Sequence, residues 1–385
     1  MARDERSRGS GCKKRSNSVR VDSDFDVTIL GAGIAGLSAA RSLSQKGLKV
    51  LLLDKSDPGS GASGAPLALL NPATGRRAKK AWQAEKCLKK TTDVLKDLQK
   101  KISKPVFAQN SVLRPAIFKD LAKNFRESPE KYNWPDTWVE WLDKDQIKTI
   151  IPGAACHEGG LKISPAATVH LPNYIKASVI DLQETGIRFI RNTNPVVAKS
   201  EKRWIIKNDD YNFSSSYLLH AAGQSIANFI EWDFLNLELV KGQTLTLYFH
   251  DDIPFQCSLS AMGYIAQLPD YPKMLVIGST YEHSFNHADP DSEGKDYLLK
   301  KFRMILPGFS NKIRGSEQWS GVRVSSSNYL PVIGEHPQIK NLFVFTGLGS
   351  KGLLYGQHCA DLLADHIINQ TPLPAELSPS RFQKK

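Results

Sequence analysis

The chain has 385 residues, of which 41% are apolar, 23% charged and 9% aromatic. Such a length predicts two domains or one large α/β body with an insert, and the composition excludes a collagenous, disulfide-dense or wholly disordered chain. The formal net charge of +12 is concentrated: residues 1–20 hold seven basic and two acidic side chains, residues 76–104 hold eleven and three, and the remainder comes to −1. A diffuse basic surface is therefore excluded, and one local anion-facing patch is left open.

Residues 1–25 contain no apolar h-region of a secretory signal and are expected to form a disordered basic tail. Five widely spaced cysteines without a C-x-x-C pair predict isolated reduced thiols, no metal site and a cytoplasmic setting. No apolar run approaches the ~20 residues that span a bilayer, so no membrane partner is expected.

Ordered structure is expected from Asp26. An apolar run at 27–30, a glycine cluster, a helical pattern over 34–46 and a second apolar run at 50–53 make strand, tight turn, helix and strand, a βαβ unit with a parallel sheet. Residues 58–76 are rich in Gly, Ala, Ser and Pro and read as a loop. Ala81, Ala84, Leu88, Thr91, Leu95, Leu98 and Ile102 recur at three and four, predicting an amphipathic basic helix over 79–102. Residues 105–160 read as mixed helix and loop, followed by a helix near 168–185 and strands at 187–190, 195–198, 204–207 and 217–219. Alternating segments between 237 and 282 predict an antiparallel sheet. A helix near 291–305, a strand at 342–346 and a helix to about 368 close the chain.

The expected fold class is an α/β composite. A Rossmann-like parallel-sheet domain draws on 26–75, 150–230 and 320–373, and an antiparallel-sheet substrate domain on 76–149 and 231–319, including the basic helix.

Gly31-Ala32-Gly33-Ile34-Ala35-Gly36 matches G-x-G-x-x-G in the required context, after a strand and opening a helix. Gly31 permits the turn, Gly33 lets the backbone approach a pyrophosphate, Gly36 allows helix and strand to pack closely, and the helix N-terminus faces the phosphates. Asp54, 18 residues after Gly36, stands where an acid accepts from ribose hydroxyls and repels a 2′-phosphate. An adenine dinucleotide follows, either FAD or NAD. The Gly61-Ala62-Ser63-Gly64 loop, the Ala221-Ala222-Gly223 strand end and the second strand–glycine–helix junction, Gly347-Leu348-Gly349-Ser350-Lys351-Gly352, favour FAD, since a simple NAD dehydrogenase has no use for the last. A helix N-terminus there would stabilise the electron-rich edge of a reduced flavin. The turn holds no Cys or His, so a non-covalent flavin is expected.

VTILGAGIAGLSAARSLSQKGLKVLLLDK, the GASG loop, LLHAAG, VKGQTL, GVRVSSSNYLPVIGE and FTGLGSKGLLYG together resemble the D-amino-acid oxidase-like family of FAD oxidoreductases, which includes glycine and sarcosine oxidases. Within it, ASGAPLALLNP and the end GLGSKGLLYGQHCADLLADHIINQTPLPAELSPSRF resemble the branch forming the FAD-dependent half of bifunctional wobble-uridine tRNA-modifying proteins. The methyltransferase half of those proteins has no counterpart in these 385 residues.

The resemblance implies that Gly31, Gly33, Ile34, Ala35, Gly36 and Asp54 hold the ADP half of FAD. It implies that Ser63 and Gly64 touch the pyrophosphate or flavin, and that Ala222 and Gly223 form a nucleotide-contacting turn. Val197 would meet the adenine through its backbone, Val196 being one register step away. Gly349, Ser350, Lys351 and Gly352 would face the flavin pyrimidine edge, and Arg323 would pair with a substrate carboxylate through two parallel N–H donors. The implied chemistry is oxidation of the carbon beside an amine nitrogen, then hydrolysis of the imine. The substrate is an N-linked glycine on the wobble uridine of a tRNA, which releases glyoxylate, or else a free glycine- or sarcosine-type amino acid. Arg76, Arg77, Lys79 and Lys80 follow the GASG loop and are candidates for RNA phosphates.

Overall fold

The structure, a computed structural model, describes residues 22–383. The basic tail expected over 1–25 lies largely outside the described residues; the first strand already begins at Ser23. Ser23–Leu30 pairs in parallel with Val50–Leu53 on one side and Asn212–His220 on the other. All four residues of Val50–Leu53 are buried, as a strand covered on both faces requires, and this explains a continuous apolar run instead of alternation. Arg188–Ile190 forms one edge. The end of Asn212–His220 pairs in parallel with Leu342–Thr346, and its start pairs antiparallel with Trp204–Lys207, beyond which lies Val196–Lys199.

Among the described residues seven α-helices follow in chain order: α1 (Ile34–Gln45), α2 (Ala84–Gln99), α3 (Lys119–Lys131), α4 (Lys144–Ile150), α5 (Leu171–Glu184), α6 (Ser292–Ile305) and α7 (Gly352–Asn369). Nine of the twelve residues of α1 are buried, because it lies between the parallel sheet and α7 in a common core with α2 and α5. No helix among the described residues is long and apolar enough to cross a membrane.

The second sheet runs Ile313–Ser325, Glu238–Phe249, Met274–Gly278, Tyr264–Ala266, Ser258–Ser260, Phe107–Pro115, Gly159–His170 and Leu67–Leu70, with Val139–Asp143 also on Gly159–His170. Period-two alternation divides its faces. Leu245, Leu247 and Phe249 meet Leu298, Phe302 and Ile305 of α6, while Gly242 and Thr244 line a large cavity on the other side. A mixed fold of one largely parallel and one largely antiparallel sheet is thus what the sequence predicts.

Several boundaries differ from expectation. Residues 79–80 are not helical: Ala73–Thr74 and Lys79–Lys80 form a small hairpin, and α2 starts only at Ala84. The cause is long-range, since the Arg114 guanidinium donates to the carbonyls of Ala73 (2.9 Å) and Gly75 (2.6 Å), and Ser128 Oγ donates to that of Ala78 (2.9 Å). Moreover, α2 packs on α7 and α5 rather than joining the antiparallel sheet; Thr91 Oγ1 donates to the Leu353 carbonyl at 2.8 Å. Gly159–His170 and residues 320–325, the end of Ile313–Ser325, fall in the antiparallel sheet, so the two layers exchange chain at other points than the expected segments have it. Leu67–Leu70, inside the expected loop 58–76, is an edge strand on Gly159–His170.

Candidate active site

The first glycine turn is built by exclusion of side chains. Gly31 has φ +107°, and a Cβ there would lie 2.4 Å from the Ala221 carbonyl oxygen. At Gly36 a Cβ would lie 1.8 Å from the Gly31 oxygen, so the turn of α1 and the strand end touch backbone to backbone. Helix α1 opens with no acidic residue in its first turn; the Ile34 N–H donates to Ser63 Oγ at 3.1 Å, which ties the GASG loop to the helix N-terminus. Asp54 ends the neighbouring strand. Its Oδ2 accepts from the Ala32 N–H (2.6 Å) and its Oδ1 from the Ser56 N–H (2.9 Å). Burial raises its pKa and those two N–H groups oppose the rise.

The second junction mirrors the first. Gly347 and Gly349 have φ of +71° and +52°, and α7 also opens without an acidic residue in its first turn. The Lys351 ammonium donates to the Tyr329 carbonyl at 3.1 Å; burial and then the charge of Lys79 lower its pKa.

These parts share one cavity of about 2250 Å³. Gly31, Gly33, Ile34, Ala35, Asp54, Ser63, Val197, Ala222, Gly223, Gly349, Ser350, Lys351 and Gly352 all line it, as does Arg323. Val196 does not, and is 61% exposed. Gly36 and Gly64 are not among the residues that line the cavity. A Cβ on Gly64 would meet the Gly59 carbonyl oxygen at 2.6 Å and Trp319 Nε1 at 3.6 Å, so its smallness serves packing. Two helix N-termini free of acidic residues, a turn built on glycines and a carboxylate at the strand end fit an extended adenine dinucleotide. No group of three or more His, Cys, Asp or Glu among the described residues could hold a metal ion.

Arg323 projects from Ile313–Ser325 into the cavity across Gly242. Its Nη1 donates to Ser279 Oγ (3.1 Å), its Nη2 to the Thr280 carbonyl (2.8 Å), and the guanidinium carbon lies 4.4 Å from the Tyr281 ring centroid. Two of the five N–H donors of an arginine are thereby used, which fixes the plane and leaves donors for a ligand. Thr280 is braced from the opposite face of the sheet. Its hydroxyl accepts from the Gln243 N–H (2.8 Å) and donates to Glu282 Oε1 (2.6 Å), and Glu282 pairs with buried Lys241 at 3.5 Å. Beside Arg323, Tyr264 donates to the Leu67 carbonyl at 2.7 Å, and burial raises its pKa.

Tyr264, Ser279, Tyr281 and Trp319 were not among the residues singled out from sequence. The apolar run MLVIG followed by Ser279 and Thr280 carries the available signal, a strand ending on small residues as the other strands that end at the cavity do.

The basic residues divide into two groups. On and beside α2, Lys89 pairs with Asp93 (2.8 Å), Lys90 with Asp361 (2.8 Å), Lys100 with Asp97 (3.0 Å) and Lys101 with Asp181 (3.3 Å). Much of that charge is neutralised within the fold. Arg76, Arg77 and Lys79 are exposed at the turn of the hairpin, line the cavity and have no carboxylate partner among the described residues. Lys80 also lines the cavity but pairs with Glu85 at 2.9 Å.

A family model described as FAD dependent oxidoreductase (DAO) matches residues 26–366. The tRNA 5-methylaminomethyl-2-thiouridine biosynthesis bifunctional protein MnmC of Acinetobacter baylyi is 27% identical over 372 residues, which cover 93% of this chain and 56% of that protein. The chain thus spans little more than half the length of that relative. A glycine oxidase of Pseudomonas aeruginosa is 25% identical over 393 residues, covering 92% of this chain and 98% of that one. Among solved structures, glycine oxidase from Geobacillus kaustophilus superposes with a TM-score of 0.83 at 20% identity, over 93% of this chain and 99% of that one, a likeness of fold. With the family model spanning both glycine junctions and Arg323, the chain belongs to the DAO family of FAD-dependent oxidoreductases.

Proposed function

We propose that the protein oxidises an N-substituted glycine, and that its substrate is the carboxymethylaminomethyl group of a wobble uridine in tRNA. FAD, when bound, supplies the two-electron acceptor. Arg323 binds the carboxylate and, held by Ser279, Thr280 and Tyr281, sets the position of the methylene carbon beside the nitrogen. That carbon loses a hydride and the nitrogen a proton, leaving an imine. Water adds to the imine carbon, and the carbon–nitrogen bond breaks to give glyoxylate and an aminomethyl group that stays on the base. No side-chain acid or base is required beyond a neutral amine in the bound substrate.

One observation carries the choice of tRNA: Arg76, Arg77 and Lys79 are exposed on a hairpin that lines the same cavity as Arg323. A free amino acid gives such a hairpin nothing to bind, whereas the phosphates of an RNA do. The similarity to MnmC over nearly the whole chain supports this reading. The match to a glycine oxidase along almost its full length supports a small amino acid as the second reading. Both share the glycine unit and differ in what its nitrogen carries. Release of glyoxylate from N-substituted glycines tests the shared chemistry, and its absence from all of them would refute it.

A further inference from the structure

Eight large apolar side chains are substantially exposed among the described residues. Four are aromatic, Phe118 (47%), Tyr281 (57%), Tyr297 (48%) and Tyr329 (66%), and all four line the large cavity. None of the other four, Val196, Ile230, Met304 and Ile368, does. The exposed rings therefore all border one cavity, as an interaction site would have them.

The rim is built to keep the rings outward. Tyr329 has φ +57°, a conformation rare for a bulky residue. Its N–H donates to the Ser326 carbonyl at 3.0 Å and its carbonyl accepts from Lys351. From the C-terminal segment, Arg381 clamps the same loop through the Pro331 carbonyl and Asn328 Oδ1, both at 3.1 Å. Phe118 caps α3, the helix whose Ser128 fixes the basic hairpin through Ala78. Tyr281 lies over Arg323, beside the carboxylate position. Among the described residues the exposed cations lining the cavity are Lys55, Arg76, Arg77 and Lys79. Lys55 donates to Ser225 Oγ at 2.8 Å, and the three of the hairpin share the cavity with Lys351, which holds Tyr329.

We infer that Phe118, Tyr281 and Tyr329, with Arg76, Arg77 and Lys79, form a stacking collar for unpaired RNA nucleotides on either side of the base being oxidised. The rings take base faces and the cations take phosphates, so the collar selects single-stranded RNA and tolerates most sequences. This rests on the tRNA reading above and adds to it a requirement for an unpaired, splayed loop.

Binding of a short, labelled, unmodified single-stranded RNA of mixed sequence to the FAD-loaded full chain, next to its blunt duplex, tests the collar. The single strand should bind more tightly than the duplex. Tyr329→Leu and Phe118→Leu should each weaken single-strand binding by about 5- to 150-fold, the worth of one stacked base. Tyr329→Phe and Phe118→Tyr, which keep the ring, should retain it. Single-strand binding that stays salt-sensitive but is unmoved by both leucine variants would overturn the collar and leave the tRNA reading standing. Binding of neither RNA form, while N-substituted glycines are still oxidised, would overturn both.

Discussion

Arg323 crosses Gly242 so closely that a Cβ at position 242 would stand 2.1 Å from Nη2 and 2.7 Å from the guanidinium carbon. The glycine is there for the arginine. Because the obstructed atoms are the end of a flexible side chain, Gly242→Ala should displace Arg323 without unfolding the sheet. A lost charge-assisted hydrogen-bond pair costs roughly 1.5–3 kcal/mol, so KM for a carboxylated amine should rise about 10- to 150-fold. Flavin content and Tm should stay near wild type, and Arg323→Ala should behave alike. Unchanged KM in both variants would remove Arg323 from substrate binding.

Gly36→Ala carries a different penalty. Its Cβ would fall 1.8 Å from the Gly31 carbonyl oxygen, and backbone cannot swing aside. The turn should open, with a loss of stability of about 1–3 kcal/mol or more and of most bound FAD. The ratio of flavin to protein absorbance measures it; full occupancy in the variant would show that the close turn is dispensable.

Charge reversal of Arg76, Arg77 and Lys79 should weaken RNA binding and flatten its dependence on salt. Each phosphate contact to a single strand contributes about 0.7 to the slope of log K against log salt, so losing three should lower the slope by about 2. An unaltered slope would make the hairpin a solvated face.

Asp291 gives a pH signature for the brace behind Thr280. The Lys241 ammonium, then the Gly294 N–H and the Gln243 amide, hold its carboxyl at about 2. A depressed acid stabilises the fold above its ordinary pKa of about 3.9 and loses that contribution as pH falls through the folded value. Asp291→Asn should therefore lower Tm by a constant amount from pH 5 to 8, roughly, and the deficit should close between about pH 4 and 2. A deficit that persists undiminished to the acid end would refute the ion-pair account.

The strands Val50–Leu53, Trp204–Lys207 and Leu342–Thr346 were legible because each is a short apolar or β-branched run bounded by turn residues. Both glycine junctions were legible because backbone contact and positive φ leave few alternatives to glycine. Ile313–Ser325 was not, since most of it is half-buried or exposed at a sheet edge and its composition is polar. The hairpin at 73–80 was hidden for another reason: its shape is imposed by Arg114 and Ser128, side chains from elsewhere in the chain, and local periodicity carries no trace of them. Charge was read correctly as local but too broadly. Acids on α2 itself, α5 and α7 neutralise several of the helix lysines, and the cations of this segment that line the cavity stand on the hairpin.

The most direct test of the substrate is oxygen-free reduction of the bound FAD, followed by bleaching of its visible absorbance. The purified protein would be mixed separately with tRNA bearing 5-carboxymethylaminomethyluridine, with glycine and with sarcosine. The account predicts rapid bleaching by the modified tRNA with one equivalent of glyoxylate released, and slow or no bleaching by the two free amino acids. Bleaching by glycine or sarcosine with none by the tRNA would contradict it and leave a small-molecule amine oxidase.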